Sequence, residues 1–99
     1  MKQIRKPSHP GEFFMEEILE ERGISITRAA DLLGVTRKTL SMFVNGHTSC
    51  SHSMARRLAE ATGTGVAFWI NMQAKLDTWE AENIILETNV SLLPIDRLA

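Results

Sequence analysis

The stretch of residues 26–46, Ile-Thr-Arg-Ala-Ala-Asp-Leu-Leu-Gly-Val-Thr-Arg-Lys-Thr-Leu-Ser-Met-Phe-Val-Asn-Gly, constrains this chain more than any other. It reads as two short helices joined by a tight turn. Ala29, Ala30, Leu32 and Leu33 fall at helical spacing and supply an apolar face on the first. Ala30 is small where two helices would cross closely. Gly34 suits the positive φ at which a helix stops abruptly. Thr36 then offers a hydroxyl to cap the second helix, and Leu40, Phe43 and Val44 mark its inner face. Asn45-Gly46 closes it.

Two helices in this relation make a helix-turn-helix, whose second helix enters the DNA major groove by its N-terminal end. Here that end carries Thr36, Arg37, Lys38, Thr39 and Ser41. Arginine and lysine donate to the acceptor edge of guanine, while threonine and serine bond bases or phosphates. Arg37 and Lys38 are therefore expected at base edges. Thr36, Thr39 and Ser41 share base and phosphate contacts, and Asn45 and Arg56 position the backbone. A plain helical hairpin with a solvated polar face has the same spacing, so the rest of the chain must separate the two.

Charge does so. Net charge is -1, which excludes a uniformly basic coat. Its distribution is uneven. Between Asp31 and Glu60 there is no acidic residue, and the window holds Arg37, Lys38, Arg56 and Arg57 with His47 and His52. The first helix instead carries Glu12, Glu16, Glu17, Glu20 and Glu21. After Ala59, six acids (Glu60, Asp77, Glu80, Glu82, Glu87 and Asp96) face only Lys75 and Arg97. A basic face on an otherwise acidic protein is the electrostatic footprint of nucleic-acid binding.

Ninety-nine residues, 43% of them apolar, suffice for one domain with a single core. No long apolar run suggests a membrane span, and no hydrophobic signal region opens the chain, so a cytoplasmic protein is expected. A single cysteine agrees with a reducing compartment. No catalytic residue, cofactor or metal is expected. There is no phosphate-binding glycine loop, no paired carboxylates in a plausible pocket and no activated nucleophile. His47, Cys50 and His52 are spaced like metal ligands, but they lack a fourth partner, and Cys50 reads better as a small buried hydrophobe.

Residues 1–9, with Lys2, Arg5 and Lys6, read as a flexible arm. The domain itself is expected over residues 10–83. Pro10-Gly11 starts helix 1, with Phe14, Ile18 and Leu19 inward, Met15 flanking and Gly23 ending it. Ser25 caps the next helix. Ser51 caps helix 4, whose Met54, Ala55, Leu58 and Ala59 face inward while Arg56 and Arg57 face out. Thr64 begins helix 5, the longest, at about residues 65–83. Trp69, Met72, Leu76 and Trp79 are spaced 3, 4, 3 along it, a heptad-like seam expected to serve both core and dimer interface. The tail over residues 84–99 holds Ile85, Leu86, Val90, Leu92, Leu93 and Ile95. It is too apolar for a free linker and is expected to dock or to lie at the dimer interface.

Several of these stretches resemble one family. They are His9-Pro10-Gly11-Glu12, Leu33-Gly34-Val35, Thr39-Leu40-Ser41, Asn45-Gly46 and Met54-Ala55-Arg56-Arg57-Leu58-Ala59. Most specific is Phe68-Trp69-Ile70-Asn71-Met72-Gln73, continued by Leu76-Asp77-Thr78-Trp79. Together they resemble the HigA or VapI-type antitoxins of the Xre, lambda-repressor-like helix-turn-helix group, over about residues 9–83. Gly65 departs from the serine, threonine or proline usual there, and Cys50 from an apolar residue. The resemblance implies an all-α, five-helix lambda-repressor-like domain that dimerises through its C-terminal half. It implies binding to a palindromic double-stranded operator, repression of its own operon, and a partner, a HigB-like toxin similar to RelE that cleaves mRNA. Two other readings share the fold: a stand-alone transcriptional regulator without a toxin, and an interaction module that no longer reads DNA.

Overall fold

A computed structural model describes residues 5–95. Residues 1–4 of the expected arm, with Lys2, and residues 96–99 of the tail, with Arg97, lie outside the described residues. Among the described residues there are five helices and no strand. Helix α1 covers residues 10–22, α2 is Ile26–Leu33, α3 is Arg37–Val44, α4 is His52–Thr62 and α5 is Val66–Glu82. The all-α, five-helix architecture read from the sequence is the one observed. Among the described residues no helix is long and apolar enough to cross a membrane.

Each boundary has a local cause. Ser25, Thr36 and Ser51 accept the backbone N–H groups of Arg28, Thr39 and Met54 at 3.0–3.1 Å, as N-cap hydroxyls do. Gly34 ends α2 at φ 73°. In that left-handed conformation the Val35 N–H reaches back to the Ala30 carbonyl at 3.0 Å and closes the helix. Helix α5 begins at Val66 after Gly65, with no side-chain cap. Thr64, expected to open that helix, instead supports its first turn from outside, where its hydroxyl accepts the Trp69 indole N–H at 2.8 Å.

Helix α1 is not regular. Between Pro10–Phe13 and Glu20–Arg22 lies a π-helical stretch, Phe14–Leu19. The Glu20 N–H returns to the Met15 carbonyl, one residue further than in an α-helix. Residues five apart then share a face, so Phe14 and Leu19 are both buried while Ile18 is half-buried. The expected inner stripe therefore holds at its ends and loosens at Ile18.

The core joins Phe14 and Leu19 of α1, Ala29, Ala30 and Leu33 of α2, and Leu40, Phe43 and Val44 of α3. Cys50 of the loop after α3, Met54, Ala55, Leu58 and Ala59 of α4 and Trp69 of α5 complete it. Leu32 is a correction. It was expected inward but is 58% exposed, because the inward arc of so short a helix is filled by Ala29, Ala30 and Leu33. The seam on α5 also divides. Trp69 is 0% exposed, Leu76 is buried, and Met72 and Trp79 are half-buried. Trp69 is enclosed within its own chain by Phe13, Phe14 and Phe68, all edge-on at 5.0–6.1 Å between ring centres.

The two ends of the chain differ in how they meet the helices. The arm is not free at its described end. His9 is buried, and Lys6 Nζ lies 5.7 Å from the Trp79 ring centre. The tail, by contrast, does not pack on the helices. Ile84, Ile85, Leu86, Val90, Leu92, Leu93 and Ile95 are all exposed, Leu92 to 98%.

Candidate nucleic-acid interface

The helix expected to read DNA, α3, is anchored by its C-terminal end. Phe43 and Val44 are buried there. Gly11 of α1 lies so close that a Cβ would sit 1.9 Å from the Phe43 carbonyl oxygen. Only a residue without a side chain permits that approach. Beside it, His9 Nδ1 accepts the Gly11 N–H at 2.8 Å, which leaves the ring proton on Nε2 to donate to the Thr48 carbonyl at 2.8 Å. The same ring stands edge-on to Phe43 at 5.6 Å. His9 thus ties the start of α1 to the loop that follows α3. That role was missed in the sequence, where His9-Pro10-Gly11 signalled only a helix start.

The loop is tied from its other side by Gln73, a buried polar residue of α5. Its Oε1 accepts the Cys50 N–H at 2.7 Å, and its Nε2 donates to Asp77 at 2.8 Å. A buried amide pairing both its ends in this way leaves no polar group unsatisfied. Cys50 is tucked beneath, and burial pushes its thiol up to about 11. His47 and His52 are exposed, so the three spaced residues do not converge, and the described residues hold no cluster that could bind a metal ion.

The turn between α2 and α3 is held by Arg57. Its Nη1 donates to the Leu33 carbonyl at 2.9 Å and to that of Gly34 at 3.4 Å. A cation at these last carbonyls of α2 suits the negative end of the helix. Arg57 was read only as an outward-facing residue that, like Arg56, could touch the DNA backbone; its partners within the chain are distant in sequence and carry no local signal.

With these anchors in place, the N-terminal end of α3 projects freely. Thr36, Arg37, Lys38 and Thr39 line it, and the last three are exposed while Thr36 carries the cap. Thr36 Oγ1 accepts the Thr39 N–H at 3.0 Å and donates to Thr39 Oγ1 at 2.9 Å. Arg37 Nε donates to Thr27 Oγ1, in the first turn of α2, at 3.0 Å. Ser41 is half-buried one turn on. Lys38, Thr39 and Met42 line a groove of about 360 Å³ together with Thr48, Ser49 and Ser51 of the loop after α3. No acidic residue lines it. Of the loop hydroxyls, Ser51 was read only as a helix cap, and Thr48 and Ser49 were not singled out, though the acid-free window contained all three.

Two of the expected contact residues lie apart from this group. Asn45 is at the far end of α3, where its Nδ2 donates to the Ser41 carbonyl at 2.8 Å and its neighbours include Glu12 and Glu16. Arg56 is on α4, 3.2 Å from Glu60, with both side chains 70% exposed. A pair so exposed holds its charge only loosely.

Helices α2 and α3 and their turn form a helix-turn-helix buttressed by α1, α4 and α5, and this defines a lambda-repressor-like fold of the DNA-binding class. The family described as helix-turn-helix (HTH_3) matches residues 15–69. The chain belongs to that family, in its Xre-type branch. It is 43% identical over 84 residues to the uncharacterized HTH-type transcriptional regulator YbaQ of Escherichia coli strain K12, covering 84% of this chain and 74% of that one. It is 37% identical over 82 residues to antitoxin HigA-1 of Vibrio cholerae, covering 83% and 77%. The solved structure of the Pseudomonas aeruginosa antitoxin HigA with the higBA promoter superposes with a TM-score of 0.73 at 35% identity, covering 76% of this chain and 82% of that one.

Proposed function

We propose that the chain is a DNA-binding antitoxin that represses its own operon by binding a palindromic operator as a homodimer. One observation carries this reading. Arg37 and Lys38 stand exposed at the capped, acid-free end of a helix whose other end is locked into the core. A similar antitoxin is known with promoter DNA, which supports the same use here. Arg37 and Lys38 read base edges, Thr36, Thr39 and Ser41 contact bases and phosphates, and Arg56 and Asn45 steady the backbone. Two copies related by a two-fold axis would reach half-sites about 34–36 Å apart. Met72 and Trp79, half-buried on α5, remain accessible to a second copy, whereas Trp69 and Leu76 belong to the core of one chain. The partner is a HigB-like toxin, and the protein works in the cytoplasm, with no catalytic step of its own.

The test joins two measurements. The chain is titrated against duplex DNA from its own promoter, and it is co-expressed with the neighbouring gene, only this chain being tagged. Salt-dependent binding together with a stoichiometric small basic partner supports the antitoxin. Binding without a partner moves the reading to a stand-alone regulator, which the likeness to YbaQ favours. Absence of any sequence preference rejects both.

A further inference from the structure

On the proposed reading Arg37 meets a base edge, and it stands exposed at a helix end. Among the described residues its hydrogen-bond partner is Thr27 Oγ1, ten residues back in sequence and on the other helix of the motif, at 3.0 Å from Nε. Free arginine loses considerable rotamer freedom when it is pinned against a base, and a side chain held beforehand loses less. The choice of nitrogen matters as well. Guanidinium carries five N–H donors in a fixed fork. It can meet a guanine edge-on through Nε and one Nη, or end-on through Nη1 and Nη2. With Nε committed to Thr27, only the end-on pair remains for O6 and N7.

We propose that Thr27 is a positioning residue for DNA reading: it holds Arg37 by Nε and presents the Nη1–Nη2 end to a guanine. This rests on the DNA-binding function proposed above. Thr27 needs no contact with the base. Its hydroxyl accepts from Arg37, and its location in the first turn of α2 fixes that acceptor relative to α3. The bond also ties the first turn of α2 to the start of α3, while Arg57 holds the last carbonyls of α2.

The experiment uses the full chain. A duplex is selected from a randomised pool with the unaltered protein, and each G·C pair of the selected site is then replaced in turn. Arg37→Ala identifies the pair that Arg37 reads, as the one whose replacement no longer matters. Thr27→Val removes the hydroxyl while keeping the shape, and Thr27→Ser restores it. Thr27→Val is expected to weaken binding to the selected duplex about two- to ten-fold, with the loss confined to discrimination at the Arg37 pair. Thr27→Ser should recover most of it, and Thr27→Val should cost nothing further in the Arg37→Ala background. Unaltered discrimination in Thr27→Val overturns the proposal. So does a loss spread evenly over all duplexes with a shallower salt slope, which would make Thr27 a phosphate contact instead. If the unaltered protein selects no sequence, the DNA-binding reading itself fails, a result distinct from either of these. Thermal melting of each variant verifies that the fold is intact.

Discussion

The two ends of α3 are held in opposite ways. At the C-terminal end, Phe43 and Val44 are buried, Gly11 backbone presses against the Phe43 carbonyl, and His9 bridges to the following loop. At the N-terminal end, Arg37 to Thr39 are exposed, and among the described residues the side chains of Arg37 and Thr39 meet hydroxyls. The contrast explains how so short a helix can present side chains to a ligand with little motion. Precision comes from the packed end, and chemistry from the free one. Substitutions should therefore sort cleanly: those at the packed end change stability, and those at the free end change affinity.

The largest effect is expected from Gly11→Ala. The new methyl would overlap the Phe43 carbonyl, so α1 or α3 must shift, at a cost of about 3 kcal/mol or more in urea unfolding. Unchanged stability would mean that the two helices are not in close contact. Next, Arg37→Ala should lose roughly 1–3 kcal/mol of affinity for promoter DNA while its melting temperature stays that of the parent. A drop in melting temperature with affinity intact would reverse the assignment of the two ends.

Gln73→Ala tests the loop that supports the packed end. It strips the Cys50 N–H of its partner and should cost about 1–2 kcal/mol, with faster hydrogen exchange at that amide. Cys50 itself gives a pH test. Burial raises its thiol from 9.0 to about 11, so the folded chain keeps a proton that the unfolded chain releases. The contribution is therefore lost as pH climbs from about 9 to about 11, and the urea midpoint should fall across that window. Cys50→Ala should flatten the fall. The smallest effect belongs to Arg56→Ala. Because its ion pair with Glu60 is exposed, it should change stability by no more than about 0.5 kcal/mol. It should instead weaken binding to all duplexes alike, with a salt slope reduced by about one.

Local features were legible in the chain because local physics sets them. The hydroxyl caps at Ser25, Thr36 and Ser51 and the left-handed close at Gly34 need only neighbours in sequence. The alternation of apolar residues located the inner faces of α3 and α4. Leu32 and Ile18 show where periodicity is too coarse. A stripe says which arc of a helix is apolar, but the neighbouring helices decide how wide an arc they cover. A π-helical turn in α1 shifts the arc by a residue. Within the interface, the charged and hydroxyl-bearing end of α3 could be read directly. Thr27, Arg57, His9 and Gln73 could not, because each acts on a residue 10 or more positions away or through a backbone group that no side-chain pattern reports.

From sequence alone come the helices, their caps, the all-α class, the acid-free basic window and the residues that project from the N-terminal end of α3. These follow from 3.6-residue periodicity, from hydroxyl and glycine chemistry, and from the placement of charge. Only tertiary structure decided that Trp69 belongs wholly to its own core, that the described tail leaves its apolar side chains in solvent, and that the start of α1 clamps the far end of α3. The physical reason is distance along the chain. A cap is completed within a turn of helix, whereas burial and clamping depend on which surfaces meet once all five helices have packed.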